Sequence, residues 1–570
     1  MVAAMLMAAN GMASLQPLKL VNNQLCTADN NPVQLRGWST NDYKNFRVSC
    51  DEKADFERMK NSGATVIRIA VDPHEYASDL TNMVLWVKNS IDYCAELDLY
   101  CIIDWHILVP GDPNHSDYAG AAQFFYALSF YVASQNYHHV LYEICNEPNI
   151  DEDGSVYDIG QTEWLQIKTY AATILSVIKA GDPDAIVIVG TPQWDQGLVF
   201  PMIDPLDEMG MNVMYSFHSN TGDEENYLGL LSSASAFLPI FVSEWRLLKH
   251  SGDACSFEES KPVADLLMNI CNGQNLGGQK ISWCNWGWYQ KNDVGSAFTD
   301  YDASIWSQSG NYVKALLAAG DNFITRATTT YETQEFDGEN DFLLALEKYD
   351  LGGPYNAFWD WDENWVCNDV WTSTHGCNGG LAGKEDGVRA NEMVDLGYAG
   401  DKEYISLDYT SYGEWVQYTI NAAYAGDYDF ELYTNNYNNG NIIAFAVDGQ
   451  NALVDEDGNV FEQALKMQPC HGGSDNWVAY NEWGWTKPKS LLDADKKFRL
   501  RLKQGEQKLA LVFMEQSSGL GTIKLKGYEH QGIEAISAPT DKAAKYLIDG
   551  ALFITLPDGK IYNATGKEVK

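Results

Sequence analysis

The stretch Tyr142-Glu143-Ile144-Cys145-Asn146-Glu147-Pro148-Asn149 reads as the end of a buried strand that stops on a carboxylate. Val140 to Cys145 is apolar with partial alternation, and Pro148 has no N–H to give a ladder, so the strand must end near Glu147. Glu147 therefore stands where a strand gives way to a loop. In an α/β barrel that junction is the mouth where chemistry is done, and a carboxylate beside an Asn there suits proton transfer to an oxygen of a bound substrate.

Working outward, strands are predicted over Val33–Arg36, Thr65–Val71, Tyr100–Trp105, Val140–Cys145, Ala185–Gly190, Asn212–Phe217, Pro239–Ser243 and Lys280–Trp286. Helical periodicity fills the gaps, as in Val84–Leu97, Tyr118–Ser134, Glu163–Ala180, Tyr227–Phe237 and Val263–Asn269, and Ser309–Ala319 follows the last strand. Eight strand–helix units match an α/β fold of the (β/α)8 TIM-barrel type in count and size. A doubly wound open sheet is the alternative topology, and no GxGxxG or Walker A loop supports a nucleotide site in one.

The predicted organisation is an N-terminal segment over 1–17, the barrel over 18–320, a Thr-rich linker over 321–330, a β-sandwich over 331–530 and a small tail over 531–570. The sandwich reading rests on short alternating strands between Gly, Asn and Asp turns: Gly413–Asn421, Gly426–Tyr433, Ile442–Asp448, Lys497–Leu502 and Lys508–Met514. In the tail, Lys545–Ile548 and Ala551–Leu556 form a two-stranded pattern followed by a Pro557-Asp558-Gly559 turn.

A net charge of −41 on 570 residues repels nucleic acid and anionic lipid, so a neutral polymer or small molecule is the expected partner. No run of eighteen apolar residues is present. Eighteen Trp and thirty-two Tyr mostly serve the core, and flat rings left in clefts would suit the apolar faces of sugars. Met1 to Ala13 is apolar without a basic start and reads as the remainder of a secretion signal, with Ala13-Ser14 as the cut. Among the eleven cysteines, Cys94, Cys101, Cys145 and Cys284 lie in apolar runs as buried thiols do. Cys367 and Cys377 flank an acidic loop and could close it, with Cys470 as a competitor, and no Cys/His cluster suggests zinc.

A second strand, Ile240-Phe241-Val242-Ser243-Glu244-Trp245, is apolar until it delivers Glu244. In barrel order Glu147 ends the fourth strand and Glu244 the seventh, so both enter one mouth from opposite sides. Facing carboxylates are what glycosidic cleavage needs, one to protonate the leaving oxygen and one to attack or activate water. Arg68 lies inside an apolar strand, where a charge must be paired, and would keep a neighbouring carboxylate ionised. His106 and His218 end the third and sixth strands; either alone reads as a structural histidine, and together at strand ends both are site candidates. Trp286 ends the eighth strand as a platform for a sugar.

These motifs, with Val33-Gln34-Leu35-Arg36-Gly37, Ile103-Asp104-Trp105-His106-Ile107-Leu108 and Ile281-Ser282-Trp283-Cys284-Asn285-Trp286, resemble glycoside hydrolase family 5, nearest its bacterial subfamily 2 endoglucanases. The resemblance covers roughly Leu18 to Ala319. It implies Glu147 as acid/base and Glu244 as nucleophile of a retaining β-glycosidase, with the neighbouring charge raising the pKa of Glu147. It implies further that Asn146 holds a 2-hydroxyl, Arg68 orients Glu244, His106 and His218 line the subsite, and Trp286 stacks on its sugar. Trp194 matches a platform on the leaving-group side and Lys291 a distal contact. Three positions depart from the pattern: Asn41 and Asp72 replace a His and a Tyr, and Asn220 replaces the Tyr that hydrogen-bonds the nucleophile.

Tyr331 to Tyr528 is similar to carbohydrate-binding modules of families 6 and 35, through Tyr331-Glu332-Thr333-Gln334-Glu335-Phe336-Asp337, Gly413-Glu414-Trp415-Val416-Gln417-Tyr418-Thr419-Ile420 and Ala425-Gly426-Asp427-Tyr428. Such modules often hold a structural calcium, and here Thr522-Ile523-Lys524 stands where they have Asn-Ile-Asp. Trp477, Trp483 and Trp485 are candidate platforms. The tail resembles those of secreted Bacteroidota proteins. The resulting expectation is a monomeric, secreted or cell-surface bacterial endo-β-1,4-glucanase acting on cellulose-like β-glucan, with no catalytic metal or organic cofactor. A mannanase, a mixed-linkage glucanase and a non-catalytic carbohydrate-binding protein are the alternatives.

Overall fold

The computed structural model describes residues 15–40, 53–74, 79–149, 156–206, 212–223, 227–249, 254–320, 322–360 and most of 382–528, with four strands between 544 and 569. Met1 to Ala13, Asn41, Cys367, Cys377, Cys470 and Trp477 lie outside the described residues.

Eight parallel strands close into a barrel: β1 (Arg36–Ser39), β2 (Val66–Val71), β3 (Tyr100–Trp105), β4 (Val140–Glu143), β5 (Ile186–Val189), β6 (Asn212–Asn220), β7 (Ile240–Arg246) and β8 (Ser282–Asn285). Closure is made by β8 on β1, with Cys284 opposite Gly37. A Cβ at Gly37 would lie 1.7 Å from the Val66 carbonyl oxygen, so only Gly lets β1 approach β2 this closely.

Successive residues of a strand face opposite ways, so every second one points into the barrel. Val66, Ile102, Leu141, Met214, Phe241 and Cys284 pack together as the lower interior. Two residues further along β2, β3 and β4 the same inward face carries Arg68, Asp104 and Glu143. The barrel is thus apolar at its floor and charged at its mouth. An antiparallel hairpin, Leu18–Val21 with Gln24–Thr27, plugs the floor through Leu18 and Leu25.

Several strand boundaries differ from the sequence reading. β1 begins at Arg36, because Val33 hydrogen-bonds Leu25 of the plug and the Gln34 amide braces the Cys271 and Ile281 carbonyls. β6 and β7 run on to Asn220 and Arg246, pairing as register partners beyond the predicted ends. Cys94, Cys101, Cys145 and Cys284 are buried free thiols.

Beyond the barrel, Trp415–Ala422, Gly505–Phe513 and Ile442–Val447 form the middle of one sheet, and Tyr404–Leu407, Leu520–Leu525 and Phe430–Thr434 the middle of a second. Val416, Tyr418, Ile443, Phe445, Leu509 and Leu511 share a core with Phe430, Leu432 and Leu520 of the second sheet. The opposite face of the first sheet is also buried. Trp415, Ile442, Ala444, Ala510 and Val512 join the core that contains Leu228, Leu230 and Leu231 of the barrel helix Tyr227–Ala234. The tail folds as four antiparallel strands rather than two, Ile561–Asn563 and Glu568–Val569 adding to the predicted pair. No helix among the described residues is long and apolar enough to cross a membrane.

Candidate active site

Arg68 is fully buried and pairs with three carboxylates, Asp104 at 2.9 Å, Glu143 at 2.7 Å and Glu244 at 3.2 Å. Its fork of fixed N–H groups allows this, and a buried guanidinium without such partners would be costly. Glu143 takes the fork in bidentate fashion, with a second contact from Nη2 to Oε1 at 3.2 Å. Burial alone would push Glu143 up, but the charge of Arg68 and the bonds from His218 and Arg68 hold it at about 2. Asp104 moves the other way: burial raises it in spite of Arg68. His106 Nδ1 lies 2.8 Å from Asp104 Oδ2, and that carboxyl lifts the imidazole above its usual range against the effect of burial.

Oxygens of Glu147 and Glu244 and a ring nitrogen of His218 all lie within 4.8 Å of one another. His218 Nδ1 is 3.0 Å from Glu147 Oε1, and Nε2 is 3.0 Å from Ser243 Oγ. Burial disfavours a charged His218, yet Asp195, Glu143, Glu147 and Glu244 surround it and hold it well above the ordinary histidine range. With both ring nitrogens donating, Ser243 accepts from His218 and donates to Glu143 Oε1 at 2.8 Å.

Glu147 itself sits four residues past β4 in a left-handed turn with φ 41°. The sequence reading expected its pKa to be raised by a neighbouring negative charge. The structure corrects this. Burial pushes Glu147 up, but the hydrogen bond and charge of His218, with His106 and Arg246 behind them, bring it below the usual carboxylate range.

Asn146 is buried, accepts from Arg68 Nη2 through Oδ1 at 2.8 Å, and its Nδ2 has no partner among the described residues. Trp286 stacks on His106, centroids 5.0 Å apart at 11°, and is only 6% exposed. Trp194 is 40% exposed on a left-handed turn, with its backbone N–H donating to Pro148 O at 3.3 Å. Lys291 is exposed on the loop after β8 and lines a separate cavity of about 860 Å³ with Leu248, Asp293 and Phe298. Of the departures from the family pattern, Asp72 accepts from His74 N at 2.8 Å and closes a local turn. Asn220 accepts from Arg246 Nε through Oδ1.

Sequence reasoning missed Glu143, Asp195, Ser243 and Arg246. Glu143 was findable by the reasoning applied to Arg68, a charge inside an apolar strand that must be paired. Asp195 gives no such signal, because it follows Trp194 in an irregular turn.

A (β/α)8 barrel whose strand ends bring two opposed carboxylates together defines the class: the protein is a glycoside hydrolase. The chain belongs to the cellulase family, glycosyl hydrolase family 5, whose sequence profile matches residues 26–292. It is 34% identical over 309 residues to cellulase CelDZ1 of Thermoanaerobacterium sp, a match covering 50% of this chain and 76% of that protein. Endoglucanase CelA of Streptomyces lividans is 31% identical over 53% of this chain, and the match spans 64% of the relative, under two thirds of its length. The solved catalytic domain of Thermobifida fusca endoglucanase Cel5A is 29% identical, covering 53% of this chain and 98% of that one, with a TM-score of 0.45.

Proposed function

We propose that this chain is a retaining endo-β-1,4-glucanase acting on cellulose-like β-glucan. The observation that carries the reading is the approach of Glu147 and Glu244 oxygens to within 4.8 Å. Retaining pairs stand about 5–5.5 Å apart, whereas inverting pairs need about 6.5–9.5 Å to admit a water. Relatives named cellulase and endoglucanase support the substrate.

In this mechanism Glu244, held by Arg68 at 3.2 Å, attacks the anomeric carbon as the C–O bond to the leaving sugar breaks. The proton on Glu147 passes to the departing oxygen, leaving the Glu147 carboxylate facing His218. Water then gives a proton back to Glu147 and its oxygen to the anomeric carbon, releasing Glu244 from the ester. Asn146 Nδ2, buried and open to an acceptor, is the donor for the 2-hydroxyl. Trp286 and Trp194 are the sugar platforms, and Lys291 is a distant contact. No metal or organic cofactor takes part.

The sandwich reads as a carbohydrate-binding jelly roll, with the 38% exposed Trp485 and its neighbour Trp483 as surface rings. Lys526 pairs with Asp341 at 3.3 Å and Glu431 at 3.2 Å, and Lys524 lies 3.7 Å from Glu431, so lysines stand beside these acidic groups. Secretion or surface display and a monomeric state complete the reading.

The test is reducing-sugar release from carboxymethylcellulose, barley glucan, mannan and xylan by the intact protein, Glu147→Gln and Glu244→Gln. The expected result is release from the first two substrates and a loss of about 10³-fold or more in each variant on them. Release from none, or an unimpaired Glu244→Gln variant, overturns the assignment.

A further inference from the structure

Asp195 is a fully buried acid that the mechanism above does not use. It lies at the end of three consecutive left-handed residues, Gln193, Trp194 and Asp195, with φ of 59°, 56° and 63°. Such a run costs of the order of 1 kcal/mol or more per non-Gly residue and persists only where surrounding contacts fix it. Beside the backbone bonds Trp194 N to Pro148 O and Asp195 N to Thr191 O, the Asp195 carboxylate supplies two such contacts. Oδ1 accepts from Thr191 N at 2.6 Å, at the head of the turn, and Oδ2 accepts from Glu147 N at 2.9 Å. Oδ2 is also 3.5 Å from His218 Nε2, on the side of the ring away from Glu147.

We propose that Asp195 is a positioning residue for the acid/base: it fixes the left-handed backbone of Glu147 and draws part of the His218 charge away from the Glu147 carboxyl, so that Glu147 can hold the proton the leaving group takes. This rests on the assignment of Glu147 above and goes beyond it, because it makes a residue with no contact to substrate a determinant of the acid's protonation.

Glu147 meets His218, His106 and Arg246, all of which favour its anion. Asp195 meets His218, Glu143 and Glu147, with Tyr118 and Cys145 nearby. Burial raises Asp195 to about 7, with His218 opposing and the two glutamates adding to it. The two carboxyls face the same imidazolium and titrate as a coupled pair, Asp195 raised by burial and Glu147 lowered by its bond to His218. Once Asp195 ionises, its negative charge faces the imidazolium and strengthens the hold of Glu147 on a proton. Replacing Asp195 by a neutral amide removes that charge and leaves the cation facing Glu147 alone. The carboxyl of Glu147 then loses its proton at lower pH.

The experiment compares wild type with Asp195→Asn, whose amide oxygen can still accept one backbone N–H, and with Asp195→Ala. The readouts are the pH profile of kcat/KM on 4-nitrophenyl and 2,4-dinitrophenyl cellobiosides, together with the thermal midpoint of each protein. In Asp195→Asn the basic limb is expected to move down by about one pH unit, with the acidic limb in place. The 4-nitrophenyl substrate, which needs protonation, should lose about tenfold more rate than the 2,4-dinitrophenyl one, which does not. Asp195→Ala should show the same leaving-group bias. An unmoved basic limb in Asp195→Asn, or equal losses on both substrates in step with a fallen midpoint, overturns the proposal and makes Asp195 merely structural. A wild type that cleaves neither cellobioside nor β-glucan overturns the underlying assignment instead, so the two failures are separable.

Discussion

Arg68 is the residue on which the site's charges balance. It pairs with Asp104, Glu143 and Glu244 at once, so removing it takes away the cation these three buried carboxylates share. Arg68→Met is expected to destabilise the protein by about 3–5 kcal/mol in denaturant titration at pH 7, the range for breaking one side of a buried ion pair. The pH dependence follows from Glu143. Its pKa is depressed on folding, to about 2, so its contribution is present above its unfolded range near 4.5 and is lost as pH falls through about 2. Glu143→Gln should accordingly flatten the loss of stability between pH 5 and pH 2, and an unchanged acid profile would contradict the pairing. The need for a partner to Arg68 was legible in the sequence. Which acid would take most of its fork was not, because strand alternation puts both Glu143 and Asp104 on the inward face and only distances choose between them.

At the scale of elements, the extension of β6 and β7 decides what stands over the nucleophile. His218 is the register partner of Glu244, and Asn220 that of Arg246, so the second pair forms a rung directly above the first. Asn220 orients Arg246, whose charge helps to lower Glu147. Removing that cation in Arg246→Ala should therefore raise the Glu147 pKa and move the basic limb of kcat/KM to higher pH, opposite in sign to Asp195→Asn. A limb that stays put would show that the guanidinium does not act on Glu147. The eight strands themselves were legible, because their apolar runs and helical spacers have the right period. Their ends were not: the polar Ser219-Asn220 pair looks like the start of a loop and is instead the top of a strand, held by pairing to β7. The turn Gln193-Trp194-Asp195 was equally hidden, since nothing local in those residues calls for left-handed backbone.

At the scale of the whole molecule, the barrel and the sandwich share one apolar core. Ile442–Val447 is buried along its whole length, Ile443 and Phe445 facing the second sheet and Ile442, Ala444 and Ala446 joining the core that continues into the barrel. The sequence reading took such strands as one-sided alternation. The run of apolar residues in Ile442-Ile443-Ala444-Phe445-Ala446-Val447 is in fact the signature of a strand covered on both faces. Contact is close enough that a Cβ at Gly229 would lie 2.1 Å from the Trp359 ring. Gly229→Ala should lower stability by about 1–3 kcal/mol through overpacking, measured by thermal or denaturant unfolding. A neutral effect would show that the two parts do not press together there. The sheets beyond the barrel are packed against it through this core.

The central claim is that Glu147 and Glu244 stand close enough for double displacement, and the stereochemistry of the first product formed tests it most directly. Proton NMR of a cello-oligosaccharide digest, recorded before mutarotation, should show the new reducing end appearing as the β-anomer and drifting to equilibrium afterwards. An α-anomer appearing first would mean a single inverting displacement, and would contradict the assignment of Glu244 as nucleophile.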